Sequence, residues 1–233
     1  MIKAHAIIVA GGIGKRMGAD IPKQLLKLKG KTILEWTLTP FADAEDIQGI
    51  TIVSAKESME MIRNQAAQFL SSGKDISVVE GGAERQESVW NGIASVPEVV
   101  DIVLIHDAVR PFITTTLISE CIKSASDNGA ATVMRPLKET IKNVRDGIVV
   151  NTPDRSSLWI TQTPQAFKVK IIREAHEKAR AASFLGTDDC MLVERLGIPV
   201  HIIEGNDYNI KITTPADLNI AHAIAPLFSS GGR

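Results

Sequence analysis

The chain has 233 residues, of which 44% are hydrophobic and 23% charged, and its formal net charge is −1. This composition is typical of a globular protein with a sizeable core, and the near-zero charge argues against nucleic acid or a membrane as the partner. No apolar run is long enough to span a bilayer, and Met1 leads almost directly into a strand, so no membrane anchor or signal peptide is expected. The cysteines, Cys121 and Cys190, lie far apart, which fits a reducing compartment, and we expect a cytoplasmic protein.

Strands and helices alternate along the chain. Apolar or β-branched runs predict strands at residues 4–10, 49–54, 75–80, 101–106, 130–134, 157–163 and 199–204. Periodic segments predict helices at 33–38, 57–70, 84–95, 114–128 and 168–182, another capped by Thr187 or Asp188, and a last one from Pro215. This alternation predicts a Rossmann-like α/β fold, a doubly wound and mostly parallel sheet covered on both faces.

A glycine-rich loop follows the first strand. It contains Gly11, Gly12 and Gly14, and cations follow at Lys15, Arg16 and Lys23. Glycines let backbone N–H groups approach a phosphate closely, and the cations suit an anionic ligand, so we favour phosphate binding over an ordinary glycine turn with solvated charges.

Two better-known phosphate loops are excluded. A GxGxxG dinucleotide fingerprint would require glycine where Met17 stands, which argues against a dehydrogenase. A Walker A loop would require Ser or Thr after Gly14-Lys15, where the chain has Arg16.

Residues 138–152 interrupt the alternation. Two β-branched segments flank Asp146-Gly147, a strong signal for a two-residue hairpin. The ribbon could fold back on its own domain or embrace a second subunit, and its residues alone do not decide between the two. We interpret residues 1–233 as one domain carrying this hairpin as an arm.

Three loops are expected to converge at the carboxyl ends of the parallel strands, namely 11–16, 81–85 and 107–110. The five histidines show no triad or zinc-ligand spacing with Ser or Cys. A site of backbone amides, Lys and Arg suits phosphoryl or nucleotidyl transfer. Magnesium would accompany the nucleotide phosphates, which bind it with few protein ligands.

The residues also carry a family resemblance. The segment 10–17 with Pro22-Lys23-Gln24 resembles the signature of sugar-phosphate nucleotidyltransferases. The ordered set that follows consists of segment 81–85 with Ser88, then 106–111, 152–155 with 162–165, and 209–213. Together these motifs resemble the 2-C-methyl-D-erythritol 4-phosphate cytidylyltransferase family of the non-mevalonate isoprenoid pathway, over nearly the whole chain.

The resemblance implies a homodimer, a nucleotide-diphospho-sugar transferase fold and a role for each matching residue. Arg16 and Lys23 would stabilise the transition state at the α-phosphate of CTP, and Arg155 and Lys211 would orient methylerythritol phosphate for in-line attack. The implied nucleotide-binding residues are Ala10, Gly11, Gly12, Gly14, Lys23, Gly82, Ala83, Ser88, Asp107, Ala108 and Lys211. The implied substrate-binding residues are Asp107, Arg110, Thr140, Arg155, Thr163, Thr187 and Lys211, with Thr140 reaching from the arm into the partner subunit's site. No protein metal site is implied, since magnesium would be held mainly by the CTP phosphates.

Two alternatives remain. Ribitol-5-phosphate cytidylyltransferase shares the fold, the glycine loop and the chemistry, although the Gly-Gly-Ala-Glu-Arg loop and the 154–165 stretch favour methylerythritol phosphate. A non-catalytic nucleotide-binding module could use the same fold. Retention of Arg16, Lys23, Arg155 and Lys211 together argues against that module.

Overall fold

A computed structural model describes residues 2–12 and 21–228. The strands are β1 Ala4–Ala10, β2 Lys27–Leu28, β3 Lys31–Thr32, β4 Ile47–Ser54, β5 Asp75–Glu80, β6 Ile102–Asp107, β7 Ala130–Pro136, β8 Asn143–Arg145, β9 Ile148–Asn151, β10 Trp159–Lys168 and β11 His201–Glu204. The α-helices are α1 Ile33–Asp43, α2 Met59–Ala66, α3 Arg85–Ala94, α4 Thr115–Asn128, α5 Val169–Ala181, α6 Asp189–Glu194 and α7 Pro215–Phe228.

The central sheet has the strand order β11-β7-β10-β6-β1-β4-β5 within the described residues. β10 runs antiparallel to β6 and β7, whereas the other neighbouring strands are parallel. The prediction of an α/β fold with a mostly parallel sheet is therefore confirmed.

Both faces of the sheet are covered, which explains why its central strands are nearly continuous apolar runs. Neighbouring residues of β1 point to opposite faces, so that Ile8 packs beneath α1 and α4 with Phe41, while Ile7 packs on the other side with Val89 and Ile172. A third cluster packs α7 against β2 and α1 through buried residues that include Trp36 and Phe112. That cluster brings the segment before α7 to the edge of the sheet where β1 and β6 end.

Side-chain caps fix where several helices begin. Thr32 and Glu35 form a reciprocal capping box at α1, and the Leu117 N–H donates to the Thr114 hydroxyl at α4. At α6 the cap is Asp188, whose carboxylate accepts a hydrogen bond of 2.9 Å from the Met191 N–H. Of the two residues proposed for this cap, Asp188 is confirmed.

The hairpin predicted around Asp146-Gly147 is present as the two-stranded ribbon β8–β9. Asp146 and Gly147 have φ values of 50° and 77°, as an I′-type turn requires. Every residue of both strands is exposed, including Val144 at 59% and Ile148 at 70%. The ribbon therefore does not fold back onto the part of the chain that the structure describes.

None of the helices in the described ranges is long and apolar enough to cross a membrane.

Candidate active site

Two adjoining cavities open where β1 and β6 end, at the edge that binds ligands in sheets of this kind. The first, of about 310 Å³, lies between the loop after β1 and the start of α3. The second, of about 270 Å³, lies between the end of β6, β10 and the segment before α6. Because Arg85, Asp107 and Lys211 line both cavities, ligands in the two would meet at these side chains.

The start of α3 shapes one wall of the first cavity. The Gly82 N–H donates to the Ser88 hydroxyl at 3.1 Å, and the Ala83 N–H donates to a Glu87 carboxylate oxygen at 2.9 Å. A Cβ at Gly82 would lie 2.4 Å from the Glu87 Cβ, so this close turn requires glycine. The loop is therefore held tightly against the first turn of α3, with both of these N–H groups bonded to side chains of that helix.

Gly11 and Gly12, directly after β1, also line the first cavity, together with Lys23. A Cβ at Gly12 would lie 3.4 Å from Lys23 Cε and 3.7 Å from its Nζ, so the lysine runs alongside the glycine backbone. The buried Gln24 side chain donates to the Ala10 carbonyl at 2.7 Å. This bond ties the segment that carries Lys23 to the end of β1.

Asp107, the last residue of β6, is the charged centre of the site. One of its carboxylate oxygens lies 2.9 Å from Lys211 Nζ and 3.5 Å from Arg110 Nε, and the other lies 3.6 Å from Arg85 Nε. Burial alone would raise the pKa of Asp107, but the positive charges of Lys211, Arg85 and Arg110 outweigh it and hold that pKa well below its usual range. Asp107 is therefore a fixed anion that holds cations at the junction of the cavities.

Backbone contacts place those cations. The Ile212 N–H donates to the Val109 carbonyl at 2.9 Å, and the buried Ile212 side chain anchors the segment, which sets Lys211 beside Asp107. On the other side, the Arg110 guanidinium donates to the Asn209 carbonyl at 2.8 Å.

Arg85 connects the site to α6. Its guanidinium donates to the Asp189 carboxylate at 2.8 Å, and the Asp189 N–H donates to the Gln165 side chain at 3.1 Å. Burial would lower the pKa of Arg85, but the carboxylates of Asp189 and Asp107 more than offset this and raise it. Arg85 thus stays charged between β6 and the helix that borders the second cavity.

Comparisons with known proteins agree over nearly the whole chain. The family model described as "IspD: 2-C-methyl-D-erythritol 4-phosphate cytidylyltransferase" matches residues 4–226. A 2-C-methyl-D-erythritol 4-phosphate cytidylyltransferase of Geobacter metallireducens is 47% identical over 221 residues, which cover 94% of this chain and 95% of that protein. The chain belongs to the 2-C-methyl-D-erythritol 4-phosphate cytidylyltransferase family.

Solved structures support the same assignment. The 4-diphosphocytidyl-2C-methyl-D-erythritol synthase of Anaerococcus prevotii superposes with a TM-score of 0.86 at 32% identity, covering 97% of this chain and 96% of that one. The 2-C-methyl-D-erythritol 4-phosphate cytidylyltransferase of Thermus thermophilus gives 0.79 at 31% identity, covering 95% and 98%. The resemblance drawn from the motifs is confirmed.

Most of the site residues predicted from sequence line the two cavities. The first cavity is lined by Ala10, Gly11, Gly12, Lys23, Gly82, Ala83, Ser88, Asp107, Ala108 and Lys211. The second is lined by Asp107, Arg110, Thr163, Thr187 and Lys211. Gly14 and Arg16 lie outside the described residues.

Two predicted residues lie away from both cavities. Thr140 is exposed in the arm, and Arg155 is exposed at its base, where the guanidinium donates to the Lys138 carbonyl at 2.6 Å. Neither lines the cavities of its own chain. Their assigned roles stay predictions, and that of Thr140 requires the arm to reach another subunit.

Sequence reasoning gave no individual role to three residues that shape the site. Arg85 lay within a quoted motif, but its bridge from Asp107 to Asp189 joins distant segments. Asn209 was part of another motif, yet its side-chain donation to the Thr163 carbonyl at 2.9 Å was not foreseen. His106 was one of the five histidines whose spacing indicated no triad or zinc site.

Across residues 2–12 and 21–228, no group of three or more His, Cys, Asp or Glu side chains is arranged to hold a metal ion. The carboxylates that line the first cavity are Asp107, already paired with cations, and Glu84. This donor set fits a divalent ion carried by nucleotide phosphates, which binds through few protein ligands. That the phosphates hold the ion stays a prediction.

Proposed function

We propose that this protein transfers the CMP unit of CTP to 2-C-methyl-D-erythritol 4-phosphate. An oxygen of the sugar-alcohol phosphate attacks the α-phosphorus of CTP, and the bond to the β-phosphate breaks on the opposite side. The products are 4-diphosphocytidyl-2-C-methyl-D-erythritol and pyrophosphate. The observation that carries the proposal is the meeting of two cavities at Asp107, Arg85 and Lys211, within a chain of this family.

The two cavities suit two different ligands. The backbone of Gly82 and Ala83 borders the first cavity, and backbone carbonyls can accept from the cytosine amino group without a charged side chain. Gly11 and Gly12 border the same cavity beside Lys23, a combination that suits phosphates. The second cavity is lined by hydroxyls and amides together with Arg110, which suits a phosphorylated polyol.

Fixed cations supply most of the catalysis in this scheme. Attack on the α-phosphate spreads negative charge over its oxygens, and preorganised Lys and Arg side chains stabilise that charge more than they stabilise the ground state. We assign this role to Lys23 and to Arg16, which follows the glycine loop. Lys211 would hold the incoming phosphate close to the line of attack.

Magnesium is proposed as the divalent ion that accompanies CTP. Bound to the triphosphate, it would neutralise charge on the departing pyrophosphate. Lys23 and Lys211 line the same cavity and would bind the phosphate oxygens that the ion leaves open.

We also propose a homodimer in which the 138–152 arm embraces a second copy. The support is the row of exposed valine and isoleucine side chains on β8 and β9, which a monomer leaves in water. In such a dimer Thr140 and Arg155 would complete the partner's polyol-phosphate cavity. A cytoplasmic location is proposed from the two free, buried thiols.

The deciding experiment is pyrophosphate release from CTP and magnesium with 2-C-methyl-D-erythritol 4-phosphate, run beside ribitol 5-phosphate. We expect strong preference for the first substrate, because a few positioned polar contacts separate such polyols. The nucleotide product is identified by mass. Preference for ribitol 5-phosphate would overturn the substrate, and release with neither would overturn the activity.

A further inference from the structure

The His106 side chain lies at the centre of the site without reaching either cavity. It is fully buried on β6, next to Asp107, and its ring packs against Phe41 with centroids 5.0 Å apart. This fully buried side chain lines neither cavity. Its two ring nitrogens instead contact parts of the site that come from different segments.

The partners of these nitrogens fix the proton positions. His106 Nε2 lies 3.1 Å from the Arg110 carbonyl oxygen, which can only accept, so Nε2 carries a hydrogen. His106 Nδ1 lies 3.0 Å from the Thr163 hydroxyl. Burial lowers the pKa of His106 to about 4, so the ring is neutral at pH 7 and Nδ1 accepts the hydroxyl proton of Thr163.

The Thr163 oxygen then accepts from the backbone of the catalytic-site aspartate. The Asp107 N–H donates to it at 3.2 Å. The ladder between β6 and β10 ends at the pair Ile105 and Gln165, so Asp107 lies beyond the last paired residues. The Asp107 N–H faces this interrupted side, since the next amide, that of Ala108, donates to β1. The Thr163 hydroxyl thus replaces a missing strand contact.

We propose that His106 and Thr163 are positioning residues, which hold the backbone of Asp107, and through it Lys211 and Arg110, in the geometry needed for transfer. The hydrogen bonds run in one direction, from the Asp107 amide to Thr163, from Thr163 to His106, and from His106 to the Arg110 carbonyl. This series of hydrogen bonds begins at Asp107 and ends at Arg110, so both of its ends lie in the segment that carries the charged centre. Thr163 was predicted above to line the substrate cavity, and here it has the further task of holding the Asp107 backbone in place. The kinetic test of this inference rests on the proposed function.

The test is a double-mutant cycle of His106→Phe and Thr163→Val, read as kcat and as KM for each substrate. Phenylalanine keeps the ring that packs on Phe41, and valine keeps the shape of threonine. Small misplacements at a reacting centre cost rate steeply, so we expect each single change to lower kcat about tenfold while KM for CTP changes less than about twofold. Both changes break the same series of hydrogen bonds. The kcat of the double variant should therefore be no more than about twofold below that of the slower single variant.

The chain offers a matched control. His5 and Thr51 form a second buried histidine–threonine pair, 2.9 Å apart, toward the opposite end of β1. His5→Phe and Thr51→Val remove the same groups and should lower the melting temperature without changing kcat or either KM by more than about twofold. Thr163→Ser, which keeps the hydroxyl, should restore kcat to within about threefold of the wild type.

A second readout does not depend on activity. Nitrogen-15 NMR of the wild-type protein should show His106 neutral, with the proton on Nε2, at pH 7. Thr163→Val should shift the Nδ1 resonance and speed amide exchange at Asp107, whereas Thr51→Val should do neither. A proton on Nδ1, or losses of about a hundredfold in the double variant that multiply the single effects, would overturn the inference. Absence of transfer by the wild type, with the NMR results intact, would instead overturn the proposed function alone.

Discussion

Asp107 illustrates how one side chain can organise a site without joining in the chemistry. Its depressed pKa keeps it ionised, so it has no proton to donate and is a weak base. The proposed reaction needs neither, because the attacking phosphate oxygen already carries negative charge. Asp107 therefore serves by holding Lys211, Arg110 and Arg85 at fixed positions.

Lys211→Met tests this interpretation at the level of one residue. Removing a preorganised charge from a transition-state site costs on the order of a hundredfold in rate, and we expect kcat/KM for 2-C-methyl-D-erythritol 4-phosphate to fall by about that factor. Stability should also fall, because Asp107 is only 9% exposed and would lose its nearest cation, which leaves a buried carboxylate less fully compensated. Steady-state kinetics with each substrate varied, and a thermal melt, check both points.

Lys178→Met is the matched control. Lys178 forms a 2.7 Å ion pair with Glu174 on the exposed face of α5, outside both cavities. The change removes the same group and should leave the kinetics as they are. Equal losses in the two variants, or near-normal transfer by Lys211→Met, would contradict the role given to Lys211.

The glycine-rich loop and the strand ends indicated Lys23 and Asp107, whereas Lys211 was found only through the family resemblance; all three line the first cavity. What the sequence did not show is the pairing between segments. The contact from Arg85 to Asp189 joins residues more than a hundred positions apart, and the bond from His106 to Thr163 depends on where β10 stops pairing. Such contacts depend on how distant segments pack against one another, which no local pattern encodes.

At the scale of elements, β10 continues to Lys168 rather than ending at residue 163, but most other strands and helices were predicted, because their apolar periods are long and regular. The antiparallel course of β10 was not, since a buried strand has the same pattern in either direction. The two-residue strands β2 and β3 are too short for any period to appear. The hairpin was predicted from its Asp-Gly turn, whereas its function as an arm depends on a surface outside one chain.

The arm leads to a prediction about substrate use. If Thr140 completes the partner's polyol-phosphate cavity, Thr140→Ala should raise KM for 2-C-methyl-D-erythritol 4-phosphate about tenfold, the worth of one hydrogen bond to a charged group, and leave KM for CTP unchanged. Initial rates over a matrix of both substrate concentrations measure the two constants separately.

Thr116→Ala, on the exposed surface of α4, is the comparison variant and should behave as the wild type. Dilution provides an independent check, since a site shared between subunits loses specific activity when the dimer dissociates. Sedimentation at the assay concentrations would report the oligomeric state. Full activity from a monomer would contradict the shared site.

At the scale of the whole molecule, two buried histidines connect stability to pH. Burial lowers the pKa of His5 and of His106 to about 4, from about 6.5 in the unfolded chain. Between these values the unfolded state binds protons that the folded state does not, so stability falls as pH decreases. Each histidine should remove about 2 kcal/mol of unfolding free energy between pH 7 and pH 5.

Urea unfolding at pH 7 and pH 5 measures this directly, and the two histidines can be separated. His5→Phe should abolish about half of the pH dependence and His106→Phe the other half, whatever each does to stability at pH 7. Carboxylates such as Asp107 and Asp189 cannot produce the same effect in this window. Burial would raise their pKa values, but neighbouring cations hold them below normal, so the stability they contribute is lost only below about pH 4. A wild-type protein equally stable at pH 7 and pH 5 would therefore show that these histidines are not held neutral in the fold, and the proton positions assigned around Asp107 would have to be revised with them.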